Sequence, residues 1–405
     1  MFRTMMRDGR QPGVRVLVSM VLCASVLIGL SARVAGAATS TRWSVTATEI
    51  ADQSVSAVAC AAPRRCVVLG NNATGSVFGE VDDGVVSALQ GSPLANALTC
   101  HPVSCVSVGG SVYGFRAERQ TPTGWKRMPL SGPSSRYGEA LMSVACDAAT
   151  DCFAVGNSDA RTDVDCPTPD PAGVFCDTAL PVLERWSGQR WRPVTAVPVP
   201  VTAVTAVPVP SGEPFSSFNA VACAADRCVV VGEVWAGTTV TQAFSDTLTS
   251  SGWTLSMIPL PAMASTATLA SVSCARVRCM AVGSATIDGT VEPFAVDQWH
   301  SRWSNVSPAE PVTAALSSVS CTATEGCLAV GSSATGRRQV PLIERWTAGH
   351  WSHVTAAPPP GSHARGGSSL LSVSCLSRTC TAVGNYGGTT RRGYAIGWLV
   401  EQGPP

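Results

Sequence analysis

The stretch Ser318-Val319-Ser320-Cys321, five residues, then Cys327-Leu328-Ala329-Val330-Gly331 decides the reading of this chain. Two short runs of small and β-branched residues flank a tight turn, and a cysteine closes each run at the turn. That is the pattern of a β-hairpin. The phrase S-V-x-C, four or five residues, C-x-x-V-G, allowing Ala for the serine at 57, 97 and 220 and Leu for the valine at 98 and 69, occurs seven times, with its first cysteine at 60, 100, 146, 223, 274, 321 and 375. Six of these steps fall into place at once: five are 40 to 54 residues long and one is 77. Propeller repeats run about 40–50 residues, one four-stranded blade each.

Each unit has a second half. It reads Leu183-Glu184-Arg185-Trp186 with Trp191, Val296-Asp297-Gln298-Trp299 with Trp303, and Ile343-Glu344-Arg345-Trp346 with Trp351, with weaker versions ending at Trp125 and Trp253. A unit is therefore two hairpins, and no helical periodicity competes. The last unit stops after Trp398 without its second tryptophan arm, while Arg42-Trp43-Ser44-Val45-Thr46 supplies such an arm near the start. Pairing these two segments would close the ring and leave no open sheet edge. The expectation is an all-β, seven-bladed β-propeller over 38–405, closed by its N-terminal strand, with an insertion at about 159–212 in the long step. That insertion carries Cys166 and Cys176 and a doubled Val-Pro tract, which fits an extended loop.

Residues 1–37 read as a secretory signal peptide: Arg3, Arg7, Arg10 and Arg15, then the apolar run Val16–Leu30, then Ala35-Gly36-Ala37. An uncleaved anchor is the alternative, although the run is short of the roughly 20 residues of a spanning helix. Removing the signal leaves 23 basic against 26 acidic residues, with no basic run to track phosphates. The expectation is a secreted, extracellular monomer with no nucleic-acid partner and no span after cleavage.

Of 17 cysteines, Cys23 lies in the apolar run and goes with it. The rest pair as Cys60–Cys66, Cys100–Cys105, Cys146–Cys152, Cys166–Cys176, Cys223–Cys228, Cys274–Cys279, Cys321–Cys327 and Cys375–Cys380. Opposed residues of an antiparallel hairpin lie about 4.5–5.5 Å apart, within reach of a disulfide. Each small-loop bridge contributes on the order of 2 kcal/mol. Zinc would need two units to converge, so no metal is expected.

These units resemble the repeats of secreted bacterial, actinobacterial-type β-propeller proteins built on S-V-S-C-x(4–5)-C-x-A-V-G. They are more distantly similar to sialidase-like and photosystem-assembly-factor-like propellers. The resemblance implies the fold. It does not carry over sialidase chemistry: the Asp-box S-x-D-x-G-x-x-W sets its carboxylate five residues before Trp, whereas Glu118/Trp125, Glu184/Trp191, Asp246/Trp253 and Glu344/Trp351 are spaced by seven.

No catalytic residue, cofactor site or metal site is assigned. A retaining sialidase needs an arginine cluster and a tyrosine nucleophile; among Tyr113, Tyr137, Tyr386 and Tyr394, only Tyr386 follows a Val-Gly pair with Arg391 and Arg392 close behind. The recurring carboxylates Glu118, Glu184, Asp246, Asp297 and Glu344 read as structural contacts, because repetition at an equivalent position favours structure. His101, His300, His350, His353 and His363 are scattered, with His350 and His353 read as turn residues. Asp163, Asp165, Asp170 and Asp177 form an acidic loop without an ordered calcium pattern. The tryptophans read as inter-blade packing. Variable hairpin tips, such as Pro63-Arg64-Arg65, His101-Pro102-Val103, Arg276-Val277-Arg278 and Ser377-Arg378-Thr379, are where a rigid scaffold carries contacts. The expected role is a non-catalytic binding or scaffolding module whose partner is an unknown protein or glycan of the cell envelope. The alternative is a carbohydrate-active enzyme, a sialidase-like glycoside hydrolase.

Overall fold

The structure is a computed structural model. It describes residues 43–403 apart from 49–53, 64, 73–74, 83–84, 88–89, 93–94, 103, 112–113, 131–138, 161–177, 195–214, 225–226, 237–239, 300, 309–312, 324–325, 337, 356–366 and 391–392. The signal segment, Cys166, Cys176, Asp163, Asp165, Asp170, Asp177, Tyr113, Tyr137, His300, His363, Arg391 and Arg392 lie outside the described residues.

Every regular element among the described residues is a strand. β1 (Ser44–Thr48) opens the chain. β2 (Ser54–Ala62), β3 (Arg65–Asn72) and β4 (Gly75–Asp82) form a sheet whose outer edge is shared by the short β5 (Val85–Val86) and β6 (Gln90–Ser92). β7 (Ala95–His101), β8 (Ser104–Ser111), β9 (Gly114–Thr121) and β10 (Gly124–Arg127) join β11 (Glu139–Ala148), β12 (Asp151–Ala160), β13 (Thr178–Trp186) and β14 (Trp191–Pro193) in an eight-stranded sheet. Three four-stranded sheets follow. They are β15 (Phe215–Ala224) to β18 (Gly252–Met257), β19 (Ala264–Ala275) to β22 (Arg302–Asn305), and β23 (Ala314–Thr322) to β26 (His350–His353). The last sheet holds β27 (Ser368–Leu376), β28 (Thr379–Thr390) and β29 (Gly393–Gly403), and β1 is its fourth strand. The pairing of β1 with β29 is antiparallel and runs from Ser44 opposite Gln402 to Thr48 opposite Trp398.

The cysteine phrase is the first hairpin of each unit. In β23 and β24, Cys321 lies opposite Cys327, and the same register recurs in the six other copies. Seven disulfides close these hairpins, with Cα separations of 3.8–4.1 Å, tighter than the spacing of a regular ladder.

The recurrent Val-Gly has a steric cause. The first strand of each hairpin carries a β-bulge opposite the glycine: Gly331 pairs with Leu316 while Val330 pairs with Ser318, so Ser317 is the extra residue. The bulge drives a carbonyl into the space a side chain would fill. A Cβ at Gly331 would lie 1.9 Å from Ala315 O, and one at Gly283 would lie 2.0 Å from Thr268 O. Bulges re-aim the side chain of the extra residue.

The core is divided into wedges between neighbouring sheets. One wedge sets Val229, Val231 and Ile258 against Leu269, Phe294 and Val296. Another sets Val55, Val58, Val68 and Val77 of the β2–β4 sheet against Val383 of the last sheet. Outer-strand tryptophans clamp the preceding sheet: Trp125 stacks on Phe78 at 4.2 Å, and Trp253 meets the edge of Phe153 at 6.0 Å. Trp303 Nε1 donates to Ser245 Oγ at 2.7 Å. This fits the packing role expected of the tryptophans.

The serines of S-V-S-C do more than fit a crowded centre. The inner strand of each sheet has an open edge facing its neighbour. The amides of Val319 and Cys321 donate to Ser271 Oγ and Ser273 Oγ of the preceding unit, at 3.2 and 2.9 Å. Val373 and Cys375 donate likewise to Ser318 and Ser320, and Val58 and Cys60 to Ser372 and Ser374. Each such bond contributes about 1 kcal/mol net, and leaving the amide unpaired costs more. Asn385, just after the last Val-Gly, both donates to Val55 O at 3.2 Å and accepts from Val55 N at 2.8 Å.

Candidate functional site

The inner strands β2, β7, β11, β15, β19, β23 and β27 line a single cavity of about 400 Å³. The bulges aim their extra residues into it. Asn96, Met142, Asn219 and Leu371 are the larger ones, and Ser56, Ala270 and Ser317 the smaller. Every lining side chain is uncharged, and many of the hydroxyls already accept amide protons from the next strand. Among the described residues, no Arg, Tyr, Asp or Glu is part of this wall. Tyr386 sits away from it, buried at 4% exposure in the wedge with Trp43 and Leu370.

The recurring carboxylates take different partners. Glu118 pairs with Arg116 Nε at 3.2 Å, and Glu344 with His353 Nδ1 at 3.1 Å. His350 and His353 belong to strand β26 rather than to a turn, which corrects the sequence reading. Asp246 is fully buried, and both its oxygens lack a hydrogen-bond partner. It shares a strand face with Phe244 and Leu248, which pack on Phe153, Val155 and Leu183. Burial in this apolar wedge pushes the carboxyl up from 3.8 to about 7.

A titration follows from that burial. The folded state holds the Asp246 proton between about pH 4 and 7 while the unfolded chain releases it, so stability falls as pH rises through this window and levels off above it. The shift from 3.8 to about 7 corresponds to a loss of about 4 kcal/mol as an upper figure. Asp246→Asn keeps the shape and removes the titration. Unfolding midpoints at pH 5 and pH 8 should converge in this variant relative to the parent; equal pH slopes in the two proteins would disprove the assignment.

Asp297 does not belong to the carboxylate series. Glu184 lies opposite Ala154, Asp246 opposite Val230 and Glu344 opposite Ala329, each two residues past the strand's cysteine. Asp297 lies opposite Met280, one residue past Cys279, and Val296 takes the series position. A one-residue slip moves side chains to the other face. Trp186 and Trp346 are buried opposite Cys152 and Cys327, but the position opposite Cys279 is Gln298, and Trp299 is displaced to 47% exposure. Gln298 is fully buried and donates to Thr247 Oγ1 at 3.2 Å. The sequence held the signal: Asp297 precedes Trp303 by six residues, where the other carboxylates precede their tryptophan by seven.

The hairpin tips carry grooves between neighbouring units. One, of about 310 Å³, lies between the tips of β2–β3 and β7–β8 and is edged by Arg65, Glu80, Asp82 and Gln120. Another, of about 350 Å³, lies between the tips of β19–β20 and β23–β24. Its wall holds Arg276, Arg278, Asp297 and Trp299. Arg278 sits over the Trp299 ring at 5.3 Å and bonds both oxygens of Asp297.

No family model matches the chain, and no curated protein matches it. Among solved structures, an ulvan lyase from a new family of polysaccharide lyases is similar at 9% identity and TM-score 0.50, covering 87% of this chain and 95% of that one. The fold is propeller-like. A catalytically inactive virginiamycin B lyase from Staphylococcus aureus, solved with quinupristin, has 10% identity and TM-score 0.47, covering 88% of this chain and 99% of that one. The Trypanosoma rangeli sialidase has 9% identity and TM-score 0.44, covering 88% and 59%. At these identities the likeness is one of fold, and site chemistry does not follow from it. Among the described residues no helix is long and apolar enough to cross a membrane.

Proposed function

We propose that the chain is an exported binding or scaffolding module, built as a closed ring of seven blades and acting through its hairpin tips. Closure is supported by the pairing of β1 with β29 and by the bonds from β2 to Ser372, Ser374 and Asn385. The seven-blade reading is supported within the eight-stranded sheet, whose halves are joined at β8–β11 by two residue pairs only. Seven disulfides suit an oxidising compartment outside the cytoplasm.

The observation that carries the binding role is the contrast between a repeated frame and unrepeated tips. Staples, bulges and the glycine opposite each bulge recur from unit to unit, whereas the two tip grooves differ in charge and in aromatic content. A stiff frame with variable loops is the usual construction of a recognition surface. Its natural partner outside the cell is an envelope glycan or an exported protein. The test is co-sedimentation of the purified chain with isolated bacterial cell envelopes. Replacing Arg276, Val277 and Arg278 by serine should release the chain, and Met142→Ala in the central cavity should not. Turnover of a fluorogenic glycoside panel, abolished by substituting a described carboxylate, would replace this reading with the hydrolase.

A further inference from the structure

We propose that the central cavity binds a neutral sugar, held by main-chain groups that β7, β11 and β19 leave open to it. This site is separate from the hairpin tips.

The wall is main chain because of how the inner strands pair. Leu98, Val144 and Val272 line the cavity although their side chains are packed into three wedges of the core. Each stands, like Val319, two residues before a cysteine that faces its hairpin partner. In an antiparallel ladder, alternate residues turn both N–H and C=O away from the partner strand. Val319 and Cys321 are such residues, since their amides reach the serines of the preceding unit. Leu98 and Cys100, Val144 and Cys146, and Val272 and Cys274 hold the same register.

The serines that would receive those amides are missing on one side of the ring. The arc from β19 through β23 and β27 to β2 is stitched by the six serine bonds described above. The equivalent positions serving β7 are Ala57 and Ala59, and those serving β19 are Ala220 and Ala222. Ala97 stands where a serine would meet the amide of Val144. Alanine has no oxygen to offer. Among the described residues, no acceptor takes the amides of Leu98, Val144 and Val272, at 9%, 7% and 7% exposure. Buried amides are nearly always paired, so these three call for an oxygen from elsewhere.

The chemistry of the occupant follows from this wall. Each open residue presents a donor and an acceptor side by side, and a hydroxyl is both at once. The open residues of β7 and β11 lie at two levels, about 6.7 Å apart at about 3.3–3.4 Å per residue. One pyranose with its hydroxyls spans that separation. Met142 and Leu371 add apolar surface for its C–H groups. The volume, about 400 Å³, falls within the range of small-ligand sites. An ion would be taken from water without a counter-charge, because every lining side chain is uncharged. An extended peptide carries its polar groups on two opposite sides only. A sugar carries hydroxyls around its whole rim, as the open groups here approach from three strands.

Isothermal titration of the full chain with glucose, maltose and chitobiose tests this, with trialanine and sodium sulfate as the competing chemistries. At least one sugar should bind saturably. Ala57→Ser combined with Ala97→Ser supplies hydroxyls to the amides of Leu98 and Val144, as Ser271 does for Val319. Sugar affinity should fall about tenfold or more in this variant, with an equal or higher unfolding midpoint. Ala220→Ser combined with Ala222→Ser repeats the test at β19. Arg276→Ala at a tip should leave sugar affinity unchanged. Absence of saturable sugar binding up to about 10 mM, equal binding of trialanine or sulfate, or full affinity in both serine pairs would overturn the proposal. Envelope co-sedimentation should be the same in the serine pairs as in the parent, so the cavity and the tip reading fail separately.

Discussion

Deletion of residues 38–48 lowers the unfolding midpoint by about 5 °C or more and turns a well-behaved protein into an aggregating one. The deletion takes away β1 and with it the five residue pairs that cover β29. It also removes Trp43, 3% exposed, which packs between Leu328, Val330 and Ile343 on one sheet and Leu370 and Ala382 on the next. The ring of Trp43 fills the space at Gly403, where a Cβ would meet it at 2.6 Å. Emptying a buried tryptophan site costs about 3–5 kcal/mol before any loss of strand pairing. The bare β29 edge then presents unpaired amides and carbonyls to a second copy. Thermal unfolding followed by circular dichroism, with light scattering, checks both parts. A truncated protein with the parent's midpoint and no scattering would show that the chain does not depend on joining its ends.

Gly331→Val should be nearly as damaging. The new Cβ would stand 1.9 Å from Ala315 O and 2.9 Å from Leu316 Cα, both backbone atoms held in the bulge. No rotamer relieves a clash at Cβ, so the strand must move. The serine bonds from the neighbouring sheet at Val319 and Cys321 resist that. A loss of about 3 kcal/mol or more is expected in denaturant unfolding. Gly91→Ala serves as the control, since nothing lies within 4 Å of its Cβ position, and it should stay within about 0.5 kcal/mol of the parent. A fully stable Gly331→Val protein would mean that the bulge is not the reason for the recurrent glycine.

The hairpins and their staples were legible because the information is local: the cysteines face each other across four or five residues, and the turn between them sets the register. The Val-Gly was visible as a motif but its cause was not, since nothing in the letters says that Leu316 and Ser318 leave an extra residue between them. The serines looked merely small; their bonds to the next sheet span 48 to 55 residues, or 314 where β2 meets Ser372 and Ser374. Asp297 and Trp299 were placed in the common series although the spacing to Trp303 is one short, and that single residue decides which face each occupies.

The sequence by itself determined the unit, its two hairpins, the partners of the seven hairpin disulfides and the number of repeats, because strand pairing inside a unit is a matter of alternation and turn length. The tertiary structure alone decided the neutrality of the central cavity, the isolation of Asp246 and the exposure of Trp299. Each of these depends on what a second sheet sets against the first, and such contacts are fixed by the packing of faces rather than by the order of residues along one strand.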